Sequence, residues 1–327
     1  MQKVVVIGAA VVDVLLKSKD LKTIKGHELP GGLAICEMVG GKLEAEESMV
    51  ASGGGGTNVA VGLHRLGEAV KVISRIGSDG LGEVMTKQLV GEGLDLSMMQ
   101  RGEGKTGLSV VLVSVDGGRS IVTYRGESGL IDPSKINWDE IKKADWIQVS
   151  SLGGEMQFLE DLIMFAFNNG VKIGLNPGRK ELEQKDMLLK IVSKLDFFNV
   201  NRMEASVLTG VDYDNEKEIM KKVADMGCRV VAVTDGKRGA SVIVNRNWLK
   251  MDAFQVKSVD DTGAGDAFVC GIVAGILQNK KPEDFLKMGL ASGGSQVMKL
   301  GAKDGMLYKN EVAKWVSKKL KMTEEVI

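Results

Sequence analysis

Histidine is nearly absent from this chain: His27 and His64 are the only two in 327 residues. That disfavours a Ser-His-Asp triad or a His/Cys metal site, and His64, inside a helical segment, reads as structural. Cysteine is as scarce. Cys36, Cys228 and Cys270 are odd in number, widely spaced and without a C-x-x-C pair. That argues against a disulfide framework and for a reduced, cytoplasmic compartment. Net charge is missing too, with 43 basic residues against 43 acidic. No global field then draws the chain to nucleic acid or to an anionic membrane, and neither partner is expected. The basic stretch Lys314 to Lys321 reads as a solvated helix face. No apolar run reaches membrane-spanning length. The apolar start, Met1 to Leu16, is interrupted by Asp13 and lacks an A-x-A-like cleavage site, so a buried first strand, Lys3 to Ala9, is expected instead. No G-x-G-x-x-G follows the opening strand Val4–Ile7, as a dinucleotide fold would require, and G-x-x-x-x-G-K-[ST] does not occur.

What is present alternates. Val4–Ile7, Val70–Ile73, Trp146–Val149, Val171–Leu175, Phe197–Val200 and Val230–Val233 are short, β-branched and bounded by turn signals. Amphipathic segments lie between several of them: Asn58–Leu66, Gly82–Glu92, Glu155–Asn168, Glu204–Thr209 and Glu216–Met226. Continuous apolar strands separated by helices predict a mostly parallel sheet covered on both faces. The chain after Asp266 reads as helical, ending in a charged amphipathic helix from Lys309. Thr106 to Arg125 breaks the rhythm. It reads as two strands joined by Asp116-Gly117-Gly118, a hairpin signal, and predicts a small added sheet. The glycine-rich segment from Asp13 to Ser52 is expected to supply more strands of it.

The most informative string is Val259-Asp260-Asp261-Thr262-Gly263-Ala264-Gly265-Asp266-Ala267-Phe268. It reads as an apolar strand feeding a small-residue turn that opens a helix. Unpaired backbone N–H groups at such a helix start hold an anion, and Asp266 stands beside them. A place for negative charge next to a place for a proton is what phosphoryl transfer to an alcohol requires.

A second cluster, Gly53-Gly54-Gly55-Gly56-Thr57-Asn58, abuts another helix start. Spacing alone leaves Asn58 open between ligand binding and plain N-capping. Asn201 and Glu204, at a strand end, have the spacing of a capping box and equally that of a support for metal-bound water. Thr234-Asp235-Gly236 is a hairpin turn or a nucleotide contact. Asn176-Pro177-Gly178, after another strand, is just as ambiguous.

In order and over nearly the whole chain, these motifs resemble the ribokinase (PfkB) family of sugar and nucleoside kinases. The series runs from Asp13 through the glycine cluster to Gly67, then Gly77-Ser78-Asp79-Gly80, the hairpin near Thr106, Asn201 and Glu204, Thr234 to Gly236, and finally Asp261 to Asp266. The resemblance implies a three-layer α/β/α fold with a small β-sheet lid, one domain over residues 1–327, with lid strands from about 13–52 and 97–126. It implies an ATP-dependent kinase using magnesium. Asp266 would be the base, and the N–H groups of Gly263, Ala264 and Gly265 the anion hole. Asp13, Gly54 and Asn58 would hold the acceptor. Asn201, Glu204, Thr234 and Gly236 would serve the nucleotide, with Glu204 meeting magnesium through water. Asp260 and Thr262 match positions that ligate potassium in cation-activated members. Ribokinases proper commonly carry a lysine where this chain has Gly55, which separates it from ribose-specific members.

The acceptor expected on this reading is the hydroxymethyl group of a free sugar. A nucleoside, with Met98, Met99 and Tyr124 near a base, is the first alternative. A phosphosugar gripped by Arg119 and Arg125 comes next, then a catalytically silent sugar sensor. A homodimer through the lid is also expected.

Overall fold

The first strand, Lys3–Ile7, sends its side chains into two different cores. Val4 and Val6 join one apolar cluster, and Val5 and Ile7 join the other. Period-two alternation in a strand with no polar face requires cover on both sides. The cover on one side is Gly55–Arg65, Ala264–Leu277 and Pro282–Gln296. On the other it is Met156–Asn169, Lys185–Val192, Arg202–Thr209 and Glu216–Ala224. The computed structural model behind this description covers residues 1–25, 33–36, 40–114 and 118–327.

Among the described residues the central sheet has nine strands. From one edge they are Met322–Val326, Asn247–Met251, Ala240–Val244, Val230–Thr234, Phe197–Asn201, Lys172–Leu175, Trp146–Val149, Lys3–Ile7 and Ala69–Ile73. The last six in that order are mutually parallel, and the joins from Val230–Thr234 outward are antiparallel. The chain runs from Lys3–Ile7 to Ala69–Ile73 on one side, then returns to Trp146–Val149 on the other. That reversal creates a crevice beyond the carboxyl end of Lys3–Ile7, where ligands bind in open α/β sheets.

A four-stranded sheet stands apart, in the order Arg119–Tyr124, Gly107–Ser114, Val11–Ser18, Glu47–Gly53. The hairpin of the sequence reading is present, with Arg119 opposite Val113 and Tyr124 opposite Leu108. Its turn residues Asp116 and Gly117 lie outside the described residues, as does Pro30-Gly31-Gly32. The long early segment supplies two strands of this sheet. It also forms a separate hairpin, Lys22–Lys25 with Leu33–Cys36, rather than further strands of the same sheet.

Two expectations are corrected. The C-terminal region is not one long helix: Val312–Val316 is helical, and Met322–Val326 is an edge strand antiparallel to Asn247–Met251. Lys314, Lys318, Lys319 and Lys321 stand together with no acid between them to offset their repulsion along a helix. The edge strand carries charge instead, Glu325 pairing with Lys217. Nor does a strand run into the Asp261 turn. Residues 252–258 are irregular, and the N–H groups of Val259 and Asp260 both point to Val297 O, at 2.7 and 3.2 Å. Among the described residues no helix is long and apolar enough to cross a membrane, and all three cysteines are free.

Candidate active site

The glycine cluster is built by close backbone approach. Gly54 is the N-cap of Gly55–Arg65 with φ of 89°, and a Cβ there would lie 2.5 Å from Ala9 O. A Cβ on Gly56 would lie 2.6 Å from the carbonyl carbon of Gly8. Without side chains the helix start lies flush on the end of the first strand, and Gly56 N–H donates to Ala9 O at 3.0 Å. Since Gly54 is the cap, Asn58 is not. Its Nδ2 donates to Asp266 Oδ2 at 2.8 Å, across 208 residues of sequence. Its Oδ1 is buried without a protein partner, and so is Ser150 Oγ, just beyond Trp146–Val149. A Cβ built on Gly55 would fall 3.3 Å from Ser150 Oγ and 3.6 Å from Asp266 Oδ1. Two orphaned buried polar atoms around an empty glycine position are the marks of a polar ligand.

The second turn faces this one. Gly263 is the N-cap of Ala264–Leu277 in the left-handed region, φ of 75°, and an added Cβ would collide with the Ala302 carbonyl. The helix has no side-chain cap. Ala264 N–H closes the turn on Asp261 O at 3.3 Å. The open donors are therefore those of Gly263, Gly265 and Asp266, at the positive end of the helix dipole.

Asp266 retains some solvent contact at the floor of this crevice. Burial pushes its carboxyl above the usual carboxylate range, against the Asn58 hydrogen bond and the charge of Lys303. Asp13 comes from the four-stranded sheet, where it sits opposite Ala51 and Ser109 and directly over the bare face of Gly53. Burial raises it as well, against the charge of Lys303 and a hydrogen bond from Ser109.

Lys303 has no place in the sequence reading. It is 8 % exposed and gives its protons to Ser52 O, to Ser52 Oγ at 2.9 Å and to Thr57 Oγ1 at 2.9 Å. Thr57 Oγ1 in turn donates to Gly53 O at 2.7 Å. The lysine thus ties the glycine turn from below and places one cation between Asp13 and Asp266. Burial depresses its ammonium to about 7, with Asp13 and Asp266 pulling the other way. Arg65 fixes the lysine's own backbone, donating to Lys303 O at 2.7 Å.

The remaining predicted residues lie along the same carboxyl edge. Asn201 sits beside Thr234 in register, three and four strands from Lys3–Ile7, or about 14–19 Å at ordinary strand spacing. Asn201 and Glu204 form a reciprocal capping box, at 2.9 and 2.8 Å. Burial raises the Glu204 carboxyl against those bonds. Gly236, φ of 54°, has nothing near its bare face. No contact joins this group to Asp266, so only a ligand spanning both ends would link them. No cluster of three metal-ligating side chains occurs among the described residues. Magnesium takes oxygen ligands and keeps several waters, and the Glu204 carboxylate is an oxygen donor of the kind that meets such a water. Asp260 and Thr262 flank the second turn, and Arg119 reaches both, at 2.9 and 2.8 Å.

Comparison with known proteins gives the family and the fold. The family profile described as pfkB family carbohydrate kinase matches residues 1–307. A ribokinase of Haemophilus influenzae is 29% identical over 283 residues, 85% of this chain and 91% of that protein. A fructokinase-1 of Oryza sativa subsp. japonica is 27% identical over 83% of this chain and 90% of its own length. Among solved structures, the Arabidopsis thaliana ribokinase complexed with ribose and ATP superposes with a TM-score of 0.78 at 21% identity, covering 97% of this chain and 99% of its own.

Proposed function

The chain belongs to the pfkB family of carbohydrate kinases, which are ATP-dependent phosphotransferases, and we propose that its acceptor is a hydroxymethyl group of a free sugar. The observation that carries this reading is the Asn58–Asp266 hydrogen bond between the two helix starts. It sets an amide and a carboxylate where a hydroxyl would lie, beside the open N–H groups of Gly263 and Gly265. Asp13 and Asn58 hold acceptor hydroxyls, and Gly54 lets the acceptor come close to the backbone. Asp266 takes the proton of the attacking hydroxyl as its oxygen bonds to the γ-phosphorus of ATP and the bond from that phosphorus to the leaving ADP breaks. The helix N–H groups meet the charge on the phosphoryl oxygens, an effect typically worth ~10²–10³ in rate per donor. Thr234 and Gly236 contact the nucleotide. Asn201 and Glu204 would hold water on a magnesium ion, which when bound neutralises phosphate charge.

The side chains favour a free sugar over the alternatives. Met98 and Met99 pack against the two cores instead of standing free for a base. Arg119 is already committed to Asp260 and Thr262, which removes it as a grip for a phosphosugar. Pairing of two copies along the edge strand Arg119–Tyr124 fits its exposed Ile121, Val122 and Tyr124.

The test is ADP release across pentoses, hexoses, sugar phosphates and nucleosides. Turnover on free sugars supports the proposal, and turnover confined to nucleosides or phosphosugars overturns it. Asn58→Ala should raise the acceptor KM by about 10–100-fold, the worth of a hydrogen bond to a charged group, and leave the ATP KM nearly unchanged. An equal rise in both would return Asn58 to a purely structural role.

A further inference from the structure

Potassium at Asp260 and Thr262 does not fit the donor set that surrounds them. A bare alkali cation needs a shell of oxygen lone pairs in place of its water. Here both carboxylate oxygens of Asp260 already accept hydrogen bonds. Asp260 Oδ1 accepts from Thr262 N at 2.9 Å, from Thr262 Oγ1 at 2.7 Å and from Arg119 Nη1 at 2.9 Å. Asp260 Oδ2 accepts from Gly301 N at 2.9 Å. Burial alone would raise this carboxyl. The hydrogen bonds from Thr262 and Gly301 and the charge of Arg119 outweigh it and hold the group below the usual range.

Two backbone carbonyls beside Asp260, those of Thr262 and Gly301, accept hydrogen bonds as well. Gln296, fully buried at the end of Pro282–Gln296, donates its Nε2 to Thr262 O at 3.0 Å and also to Gly301 O. Its Oε1 accepts from Gly305 N at 3.1 Å. One amide therefore bridges the phosphoryl turn and the 301–305 loop that carries Lys303. Val297 O, the next acceptor along, is used by Val259 and Asp260 N–H.

We propose that Gln296 and Arg119 together take the place of a monovalent cation, so that this turn is organised without one. The amide hydrogens of Gln296 occupy the space between two carbonyls, where an ion would otherwise have to sit. The guanidinium supplies the full positive charge beside Asp260. Arg119 begins a strand of the four-stranded sheet, so that charge arrives only when the sheet lies over the turn. A cation there would meet a guanidinium and an amide N–H group instead of free oxygens.

The inference rests on the kinase reading for its turnover arm alone. Its second arm, thermal melting, needs no acceptor. Both compare KCl with choline chloride at equal ionic strength, which removes general screening. The wild-type protein should turn over within about twofold in the two salts. Its Tm should not rise with potassium, because no site binds it. Gln296→Ala frees the Thr262 and Gly301 carbonyls and opens room between them. That variant should gain selective stimulation and a selective Tm rise in KCl. Potassium stimulation of wild-type turnover by about tenfold or more would overturn the proposal, and so would a potassium-selective rise in its Tm. Both results are read on the unaltered chain, so they stand even if the variant folds poorly. If no acceptor is phosphorylated, the kinase reading fails and melting decides the cation question alone.

Discussion

Asp266→Asn should lower kcat by about 10²–10⁴, the usual worth of a general base, while the KM for ATP stays close to the wild-type value. The substitution keeps the size of the side chain, and its amide oxygen can still accept the Asn58 hydrogen bond. What it removes is the lone pair basic enough to take a proton. Burial raises the Asp266 carboxyl above the ordinary range, and only its ionised form serves as a base. Wild-type kcat should therefore fall as pH drops through that raised value. The residual rate of the variant should lack this acid limb. Near-normal turnover, or an acid limb that survives the substitution, would remove Asp266 from the role.

Lys303→Met should produce the second large effect, and by a different route. The lysine is the cation that Asp13 and Asp266 share. Without it both carboxyls, already raised by burial, rise further, and the acid limb of kcat should move up by about one pH unit or more. The glycine turn also loses three donors, from Ser52 O, Ser52 Oγ and Thr57 Oγ1, at about 1–3 kcal/mol for any buried group this leaves unsatisfied. The dependence of stability on pH changes in a defined direction. The Lys303 ammonium sits at about 7 in the fold against an ordinary 10.5. Between those values the unfolded chain holds a proton that the folded chain has released. The lysine therefore makes wild-type stability climb with pH across that window, by up to about 1.4 kcal/mol per pH unit. In Lys303→Met that climb should disappear. Denaturant titrations at several pH values between 6.5 and 10 read it directly. Parallel stability curves for the two proteins would mean that Lys303 is not depressed, and an unmoved acid limb would mean that it does not couple to the carboxylates.

The sequence marked the family and the candidate residues more clearly than the scaffolding around them. Asp266 and Asn58 stood out because each follows a run of small residues at the start of an apolar helix, and Asp13 because it interrupts an apolar run. Strand positions were legible from their short β-branched runs, with Trp146–Val149 falling at the predicted residues. Helix starts were less so. Gly55–Arg65 begins three residues before Asn58, inside a glycine run whose conformational cost argues locally against helix. Only the backbone of Gly8 and Ala9, brought up from the first strand, shows why those glycines belong to the helix. Lys303 and Gln296 were invisible. A lysine in Gly-Ala-Lys-Asp-Gly looks like one more solvated charge, and a glutamine at a helix end looks like surface. Their roles depend on partners up to 251 residues away, which no local pattern encodes. The late edge strand was missed because its lysine-rich approach imitates the polar face of a helix.

The span of these contacts also bears on how the protein is made. Lys303 meets Ser52 and Thr57 across 251 and 246 residues, and Asp266 meets Asn58 across 208. The glycine turn leaves the ribosome early and then waits for its counterpart. At a synthesis rate of about 5–20 residues per second, that wait is roughly 10–50 s. Throughout it, Asp13 and the open helix start stand with neither the lysine that balances the one nor the carboxylate that faces the other. A nascent chain halted before residue 303 can have most of its parallel sheet in place and still be catalytically inert, so activity should appear late and abruptly during translation, well after protease resistance does.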